Sequence, residues 1–435
     1  MGADGLDPPV GPASAPPTDA GQPEPAIQPL HSPREGTPEP LRGTAELADA
    51  AAALAAGSGP VAVDAERASG YRYSQRAYLV QLRRAGAGTF LIDPIELPDL
   101  SSLDAALADA EWILHAANQD LPCLAELRMW PRRLFDTELA GRLLGSERVA
   151  LGTMLEQYLG ISLEKGHSAA DWSTRPLPHD WLVYAALDVE LLIELRAVLR
   201  TELDRAGKLE WAEQEFATVL NAPPSPPRAE PWRRTSGIHG LRTRRQLAMV
   251  RSLWQARDRL AARRDVAPSR LLPDSAIVAA VKANPAREQD LITLEVFHGP
   301  RQRRLGQYWF TALDEGRHAP DDALPSLAQL PTGPDAMPAQ SRWRDKDPAA
   351  AVRLVACKEV VAAAAAKHQV VGQNLLAGET VRRLAWHSVS PLTEQAVRDR
   401  LAELGARAWQ VDLLAAGLTR ALATQPPAEP EPVAS

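Results

Sequence analysis

The sequence predicts a mixed α/β domain followed by two small all-helical domains. Three observations carry that reading. Three short β-prone runs lie close together before residue 93, helical periodicity dominates beyond residue 232, and a Pro-rich stretch separates the two regimes. A chain of 435 residues is also too long for one ordinary core.

Residues 1–41 are Pro-rich, acidic and poor in large apolar side chains, so they are expected to stay disordered, as are residues 424–435. An α/β domain is expected over 42–218. Its first strands are Pro60 to Glu66, Ala77 to Leu82 and Gly88 to Asp93, separated by polar or Gly-containing turns and read as antiparallel neighbours. A helix at about 99–110, a strand from Glu111 to Ala116, a helix over 121–129 and another from about 137 follow. From Asp180 to Ala206 apolar residues recur at helical spacing with no Pro or Gly, which predicts one long helix. Residues 219–235 are a linker around a semi-rigid Pro-rich run. Helical domains are expected at 236–312 and 346–423, with a second linker at 313–345. The two resemble each other: Ser269 to Val281 pairs with Gln373 to Leu384, each with two leucines ahead of an amphipathic helix. Each also follows a longer helix, at 243–264 and 349–368, so the pair reads as two copies of one unit.

The net charge of -7 looks wrong for a partner of nucleic acid until it is located. The two tails carry all of it, and the middle of the chain is neutral overall. Basic runs at Arg132-Arg133, Arg242 to Arg245, Arg263-Arg264 and Arg301 to Arg304 remain, and local potential rather than net charge steers polyanions. Cys123 and Cys357 are the only cysteines, which excludes a disulfide framework and a zinc cluster. The longest apolar run, Val360 to Ala366, falls far short of the roughly 20 residues that span a bilayer. With no signal peptide visible, a cytoplasmic location, no membrane and no obligate protein partner are expected.

Asp64 and Glu66 lie two positions apart on a strand, so their carboxylates share one face while Val61, Val63 and Ala65 take the other. A bound divalent cation relieves the repulsion of such a pair, and hard oxygen ligands favour magnesium or manganese. A solvated edge strand would show the same pattern. Tyr184 and Asp188 are four apart on the long helix and share a face one turn apart, a pairing common in helices generally. Asp120 stands ahead of Leu121-Pro122 at a helix start, where an N-cap is the ordinary role. Asp136 before Thr137 is read as a cap.

The ordered set is more specific than its parts. Val61-Ala-Val-Asp-Ala-Glu66, His115-Ala-Ala-Asn-Gln-Asp120 and Tyr184-Ala-Ala-Leu-Asp-Val189 resemble the three sequence blocks of the DEDD exonucleases in their Tyr-bearing subclass. The approach Asp171-Trp-Ser-Thr-Arg-Pro176 is similar to the ribonuclease D family in particular. The resemblance covers about residues 42–218 and implies a ribonuclease H-like fold. It also implies that Asp64, Glu66, Asp120 and Asp188 hold two divalent cations, Mg2+ or Mn2+, and that Tyr184 orients the attacking water. The implied activity is 3'-to-5' hydrolysis of RNA from a free 3' end, on substrates such as tRNA precursors, releasing nucleoside 5'-monophosphates. DNA with a free 3' end is the alternative substrate, because the same chemistry cuts both. A non-catalytic nucleic-acid-binding module would show a lost ligand, and all five residue types are present.

Residues 236–312 resemble the helicase-and-ribonuclease-D C-terminal (HRDC) domain, and 346–423 follow as a second HRDC-like copy through the internal repeat. Candidate nucleic-acid contacts are Lys165 and His167 in the loop before the third block, with a solvated loop as the alternative, and Arg175, which either closes the site or anchors the loop. On the helical domain they are Arg242, Arg244 and Arg245.

Overall fold

A computed structural model describes residues 27–163, 166–167, 169–224, 226–327 and 336–425. Residues 1–26 and 426–435 of the expected tails, and Lys165, lie outside the described residues. The strands in chain order are β1 (Gln28–Leu30), β2 (Ser58–Arg67), β3 (Ala77–Ala85), β4 (Gly88–Ile92), β5 (Glu111–Leu114), β6 (Arg133–Asp136) and β7 (Ile161–Leu163). Five form one sheet in the order β4-β3-β2-β5-β6. The pairs β2/β3 and β3/β4 are antiparallel, whereas β2/β5 and β5/β6 are parallel. The expected antiparallel trio is therefore present, joined by a turn in which Gly86 and Gly88 adopt φ values of 81° and 88°.

β2 is central and apolar, with Val61, Ala62 and Val63 buried as a strand covered on both faces requires. It runs past β5, whose last residue is Leu114, so the end carrying Asp64 and Glu66 lacks a neighbour on that side. The helix His179–Glu190 packs across β2, β3 and β4. Leu182, Ala185 and Ala186 sit there in one cluster with Leu79 and Leu91.

Three expectations need correction in this half. The long helix is two helices, His179–Glu190 and Leu192–Arg205, broken at Leu191 (φ -110°, ψ 4°). Tertiary packing overrides local periodicity there. Leu191 is core, and the buried Glu190 is tied to Arg83 at 3.5 Å. The N-terminal segment is ordered from at least residue 27. β1 pairs in parallel with β7, Leu41 bridges Ile92, and Arg34 Nη1 meets Glu194 Oε1 at 2.9 Å. Backbone pairing and ion pairs supply there what the apolar content lacks. A helix at Thr44–Ala56, absent from the strand-and-helix pattern read above, packs Leu47, Ala50 and Leu54 into the core.

The helical half repeats as expected at backbone level. Arg244–Arg264 and Pro348–His368 each end on a left-handed cap, Asp265 and Gln369. A four-residue helix follows in each, then a leucine in extended conformation and a second helix, Asp274–Ala283 or Gly378–Trp386. Their packing differs. The first unit has its own core around Trp232, Leu253, Ile277 and Trp309. The second shares one continuous core with the α/β domain. Trp409 stacks on Trp211 with ring centroids 4.6 Å apart and donates from Nε1 to Glu215 Oε1 at 3.0 Å. Glu215 also accepts from Arg407. The expected linker 313–345 is partly structured too, since the helix Gly306–Arg317 enters it and Trp343 is buried at its end.

The first helical unit docks on the loop that leaves β2. The Asp265 carboxylate accepts from the backbone N–H of Tyr73 and Ser74 at 3.1 and 2.8 Å. Arg270 donates to the Gly70 carbonyl and stacks on Tyr71, 3.8 Å from its ring centroid.

Replacing Glu215 with alanine would remove the carboxylate partner of the buried end of Arg407, which keeps only the Gly405 carbonyl, and leave the Trp409 indole N–H without its acceptor. Urea unfolding of Glu215→Ala is expected to show a loss of about 3 kcal/mol, the low end for a broken buried pair because Arg407 is partly exposed. A loss under about 0.5 kcal/mol, ordinary for a surface change, would contradict the shared core.

Candidate metal centre

Asp64 and Glu66 reach one face of β2 by strand alternation, opposite Gln81 and Leu79 of β3. The helix His179–Glu190 crosses that face and brings Asp188 to them. One carboxylate oxygen from each of Asp64, Glu66 and Asp188 lies within 4.8 Å of the others. Tyr184 lies one turn earlier on the same helix, close enough to Asp188 to interact with it electrostatically.

Asp120 arrives by a separate route. After β5 the chain turns through Ala116 in the left-handed region (φ 61°), and a short 3-10 turn leads to Asp120. Asp136 fixes that turn. Its carboxylate accepts from the N–H groups of Ala116 (3.2 Å) and Ala117 (2.8 Å) and also caps Thr137–Leu143 through Glu138 and Leu139. The reading of Asp136 as a cap thus holds, with a second duty in the same carboxylate. Asp120 stands at the N-cap of Leu121–Glu126 but makes no side-chain capping bond. It is outside the tight trio and faces it, close enough to interact electrostatically with Asp64, Glu66 and Asp188.

Four carboxyl groups in one half-dry pocket resist ionising together. Burial pushes Asp64 up to about 6. Burial, then the Asp64 charge, raises Asp120 to about 8. Glu66 is raised by burial and then by Asp64, Asp188 and Asp120. Asp188 is raised by burial and then by Asp64. Burial and the Asp188 charge push the Tyr184 hydroxyl upward as well, which removes it as a base at neutral pH. One cation sits among them: Arg67 Nη2 lies 3.8 Å from Asp120 Oδ1 and lowers Asp64, Glu66 and Asp120. The sequence reading missed Arg67. Its position directly after Glu66 was the available signal. The donor set fits a hard divalent cation, being all carboxylate oxygen, buried at Glu66 and Asp120 and half-buried at Asp64 and Asp188, and short of compensating charge.

The weaker candidates fare differently. His167 lies beside the centre, edge-on to Tyr184 at 6.0 Å and 3.3 Å from Asp180. With Tyr184, His31 and His179 it lines a cavity of about 340 Å³. Arg175 anchors its loop. Its guanidinium makes a two-point bond to Asp93 at 2.8 and 2.7 Å and donates to the Trp172, Thr174 and Tyr78 carbonyls. Arg244 and Arg245 are likewise engaged. Arg244 donates to the Asp321, Leu324 and Pro325 carbonyls, and Arg245 pairs with Asp321 at 2.6 Å, so both hold the segment after the first helical unit. Arg242 lines a surface cavity with Arg233, His239 and Leu247.

The chain is similar to known proteins over most of its length. Residues 38–204 match a 3'-5' exonuclease domain family, 246–313 the HRDC domain, and 336–422 a 3' to 5' exonuclease C-terminal domain. The last finding gives the expected second HRDC-like copy a different family model from the first. A ribonuclease D of Acidiphilium cryptum is 31% identical over 364 residues, covering 81% of this chain and 88% of its own. A crystal structure of a Bifidobacterium adolescentis protein aligns with TM-score 0.84 at 37% identity, over 91% of this chain and 99% of that one. Escherichia coli RNase D, described as an exoribonuclease involved in structured RNA processing, aligns with TM-score 0.64 at 25% identity, over 88% and 98%.

The raised carboxyl groups set a pH signature. In chelator they hold protons in the folded protein that the unfolded chain releases near pH 4. Stability is therefore full below that pH and is lost as pH rises through about 6 for Asp64 and about 8 for Asp120. Divalent cation is expected to raise the melting temperature little at pH 5 and increasingly towards pH 8, measured by thermal shift with and without chelator. Equal stabilisation at both pH values would contradict the shared-proton site.

Proposed function

The chain belongs to the ribonuclease D family and is a 3'-to-5' exoribonuclease; we propose that it uses Asp64, Glu66, Asp120 and Asp188 to hold two divalent cations, Mg2+ or Mn2+, while trimming 3' ends of structured RNA such as tRNA precursors. The observation that carries this reading is the convergence of Asp64, Glu66 and Asp188 within 4.8 Å, with Tyr184 one helical turn before Asp188. When bound, such cations supply an activated water and charge neutralisation at the leaving 3'-oxygen.

The chain's own residues divide the remaining work. Asp64 and Glu66 are fixed by a central strand, and Asp188 by a helix packed across it, so the cradle is held by rigid elements. Tyr184 keeps its proton and, one turn from Asp188, orients the attacking water without abstracting its proton. Arg67 offsets part of the acid charge from the Asp120 side. The cavity lined by His31, His167, His179 and Tyr184 is adjacent to the reacting centre and suits the terminal nucleotide, with His167 as a ring against which a base can stack.

The docked helical unit supplies the backbone contacts. Arg244 and Arg245 are committed to protein carbonyls and Asp321, but Arg264, Arg301 and Arg304 surround an open cleft of about 520 Å³ with no acidic side chain in its lining. Arg301 also donates to the Arg270 carbonyl, and Arg270 reaches Gly70, four residues beyond Glu66. That chain of contacts carries a phosphate track from the cleft towards the centre.

A 5'-labelled RNA with a single-stranded 3' end, incubated in Mg2+ or Mn2+ and in chelator, tests the reading. A metal-dependent ladder is expected, with DNA degraded more slowly. Equal or faster loss of DNA would move the protein to the DNA exonuclease reading. Asp188→Ala is expected to lower turnover by more than about 100-fold, beyond the 10- to 100-fold typical of outer-shell changes. Tyr184→Phe is expected to cost about 100-fold in kcat with little change in KM, as for loss of a group that positions a proton-transfer partner. Charge reversal at Arg301 and Arg304 together should flatten the salt dependence of binding to long RNA by about 2 in logarithmic slope. It should leave trinucleotide hydrolysis intact.

A further inference from the structure

Gln81 is an anomaly in the sheet. It is fully buried in the middle of β3, and neither its side-chain nitrogen nor its side-chain oxygen has a hydrogen-bond partner among the described residues. Its neighbours along β3 and on β4 give it no reason to be polar. Leu79 precedes it on the same face, and Leu91 of β4 is its partner on one side. Leu, Val or Met would fill such a place without stranding two polar atoms, and buried polar groups in folded proteins are otherwise nearly always paired.

The partner on its other side is Asp64. The β2/β3 register sets Asp64 directly opposite Gln81, and residues opposite one another in an antiparallel pair project to the same face, with Cβ atoms roughly 4.5–5.5 Å apart. The orphaned amide therefore stands beside the carboxylate trio of Asp64, Glu66 and Asp188, under the helix His179–Glu190. A carboxylate has two oxygens and about four acceptor sites, so one that serves as a ligand still has capacity for a donor. Ligands to metal ions are commonly oriented by such donors one layer out.

We propose that Gln81 is a positioning residue for the metal centre, its side-chain N–H donating to the Asp64 carboxylate and holding it in the orientation that binds cation. The inference rests on the reading of Asp64 as a ligand. The unpartnered amide is a local cost by itself, and its bond to Asp64 offsets that cost when Asp64 serves as a ligand. Gln81 touches neither substrate nor water in this account. Its effect passes through Asp64.

Two opposed readouts distinguish this role from a packing role. Gln81→Met keeps the volume and removes the stranded polar atoms. In chelator its melting temperature is expected to equal or exceed that of the wild type, whereas its Mn2+ dissociation constant, by calorimetry, is expected to rise 10- to 100-fold. The kcat at limiting Mn2+ should fall in step and recover as Mn2+ is raised. Gln81→Leu serves as a second variant with the same expectation. A lowered melting temperature with Mn2+ affinity within twofold of wild type would assign Gln81 to packing and overturn the proposal.

A crystal structure of the Mn2+-loaded wild type needs no variant. Gln81 Nε2 within 3.5 Å of an Asp64 oxygen is expected, and an amide still unpaired or bonded elsewhere would overturn the proposal. Wild-type protein that binds no Mn2+ would instead remove the metal-centre reading itself, and the Gln81 proposal with it.

Discussion

The structure is organised around the mutual repulsion of buried carboxylates. Asp64, Glu66, Asp120 and Asp188 are brought to one end of β2 from three separate stretches of chain, and burial raises the proton affinity of each. No ordinary fold gathers such groups for stability, since every one of them favours water or a counter-charge. The surrounding architecture supplies the force that keeps them together. The apolar strand β2 is locked between β3 and β5, a helix is packed across it by Leu182, Ala185 and Ala186, and Asp136 clamps the turn that delivers Asp120. The energy of that core is held against a cluster of acids that are short of compensating charge.

Much of this was legible in the sequence. Alternation on an apolar strand places Asp64 and Glu66 on one face whatever the tertiary fold, and helical spacing does the same for Tyr184 and Asp188. The antiparallel trio of strands follows from short β-prone runs with tight turns. The meeting of these pieces was not visible from spacing; it came from resemblance to a family. Local periodicity failed where distant packing decides. The helix break at Leu191 falls beside a buried Glu190 paired with Arg83, and nothing within residues 180–206 announces it. The N-terminal segment looked disordered by composition, yet its order comes from partners more than 100 residues away, β7 and Glu194.

Arginine was the hardest residue type to read. Runs at Arg242 to Arg245 and at Arg301 to Arg304 look equivalent in sequence, because a guanidinium serves phosphate, carboxylate and carbonyl oxygen equally well. The fold separates them. Arg244 and Arg245 hold the segment after the first helical unit, and Arg175 braces its loop against Asp93, while Arg301 and Arg304 border an open cleft. The docking of that unit on residues 70–74 links the two halves physically. The loop that leaves the acid-bearing strand is the loop that Asp265 and Arg270 grip, so the cleft and the metal centre are held in one frame.

Proton release on cation binding tests the central claim most directly. Calorimetric titration of the protein with Mn2+ at pH 7, repeated in buffers of different ionisation enthalpy, counts the protons expelled. The carboxylate account requires net release, because protons shared among Asp64, Glu66, Asp120 and Asp188 must leave before the cation can be held. Binding with no proton release would contradict it, and would mean that the four acids are already ionised or that the cation binds elsewhere.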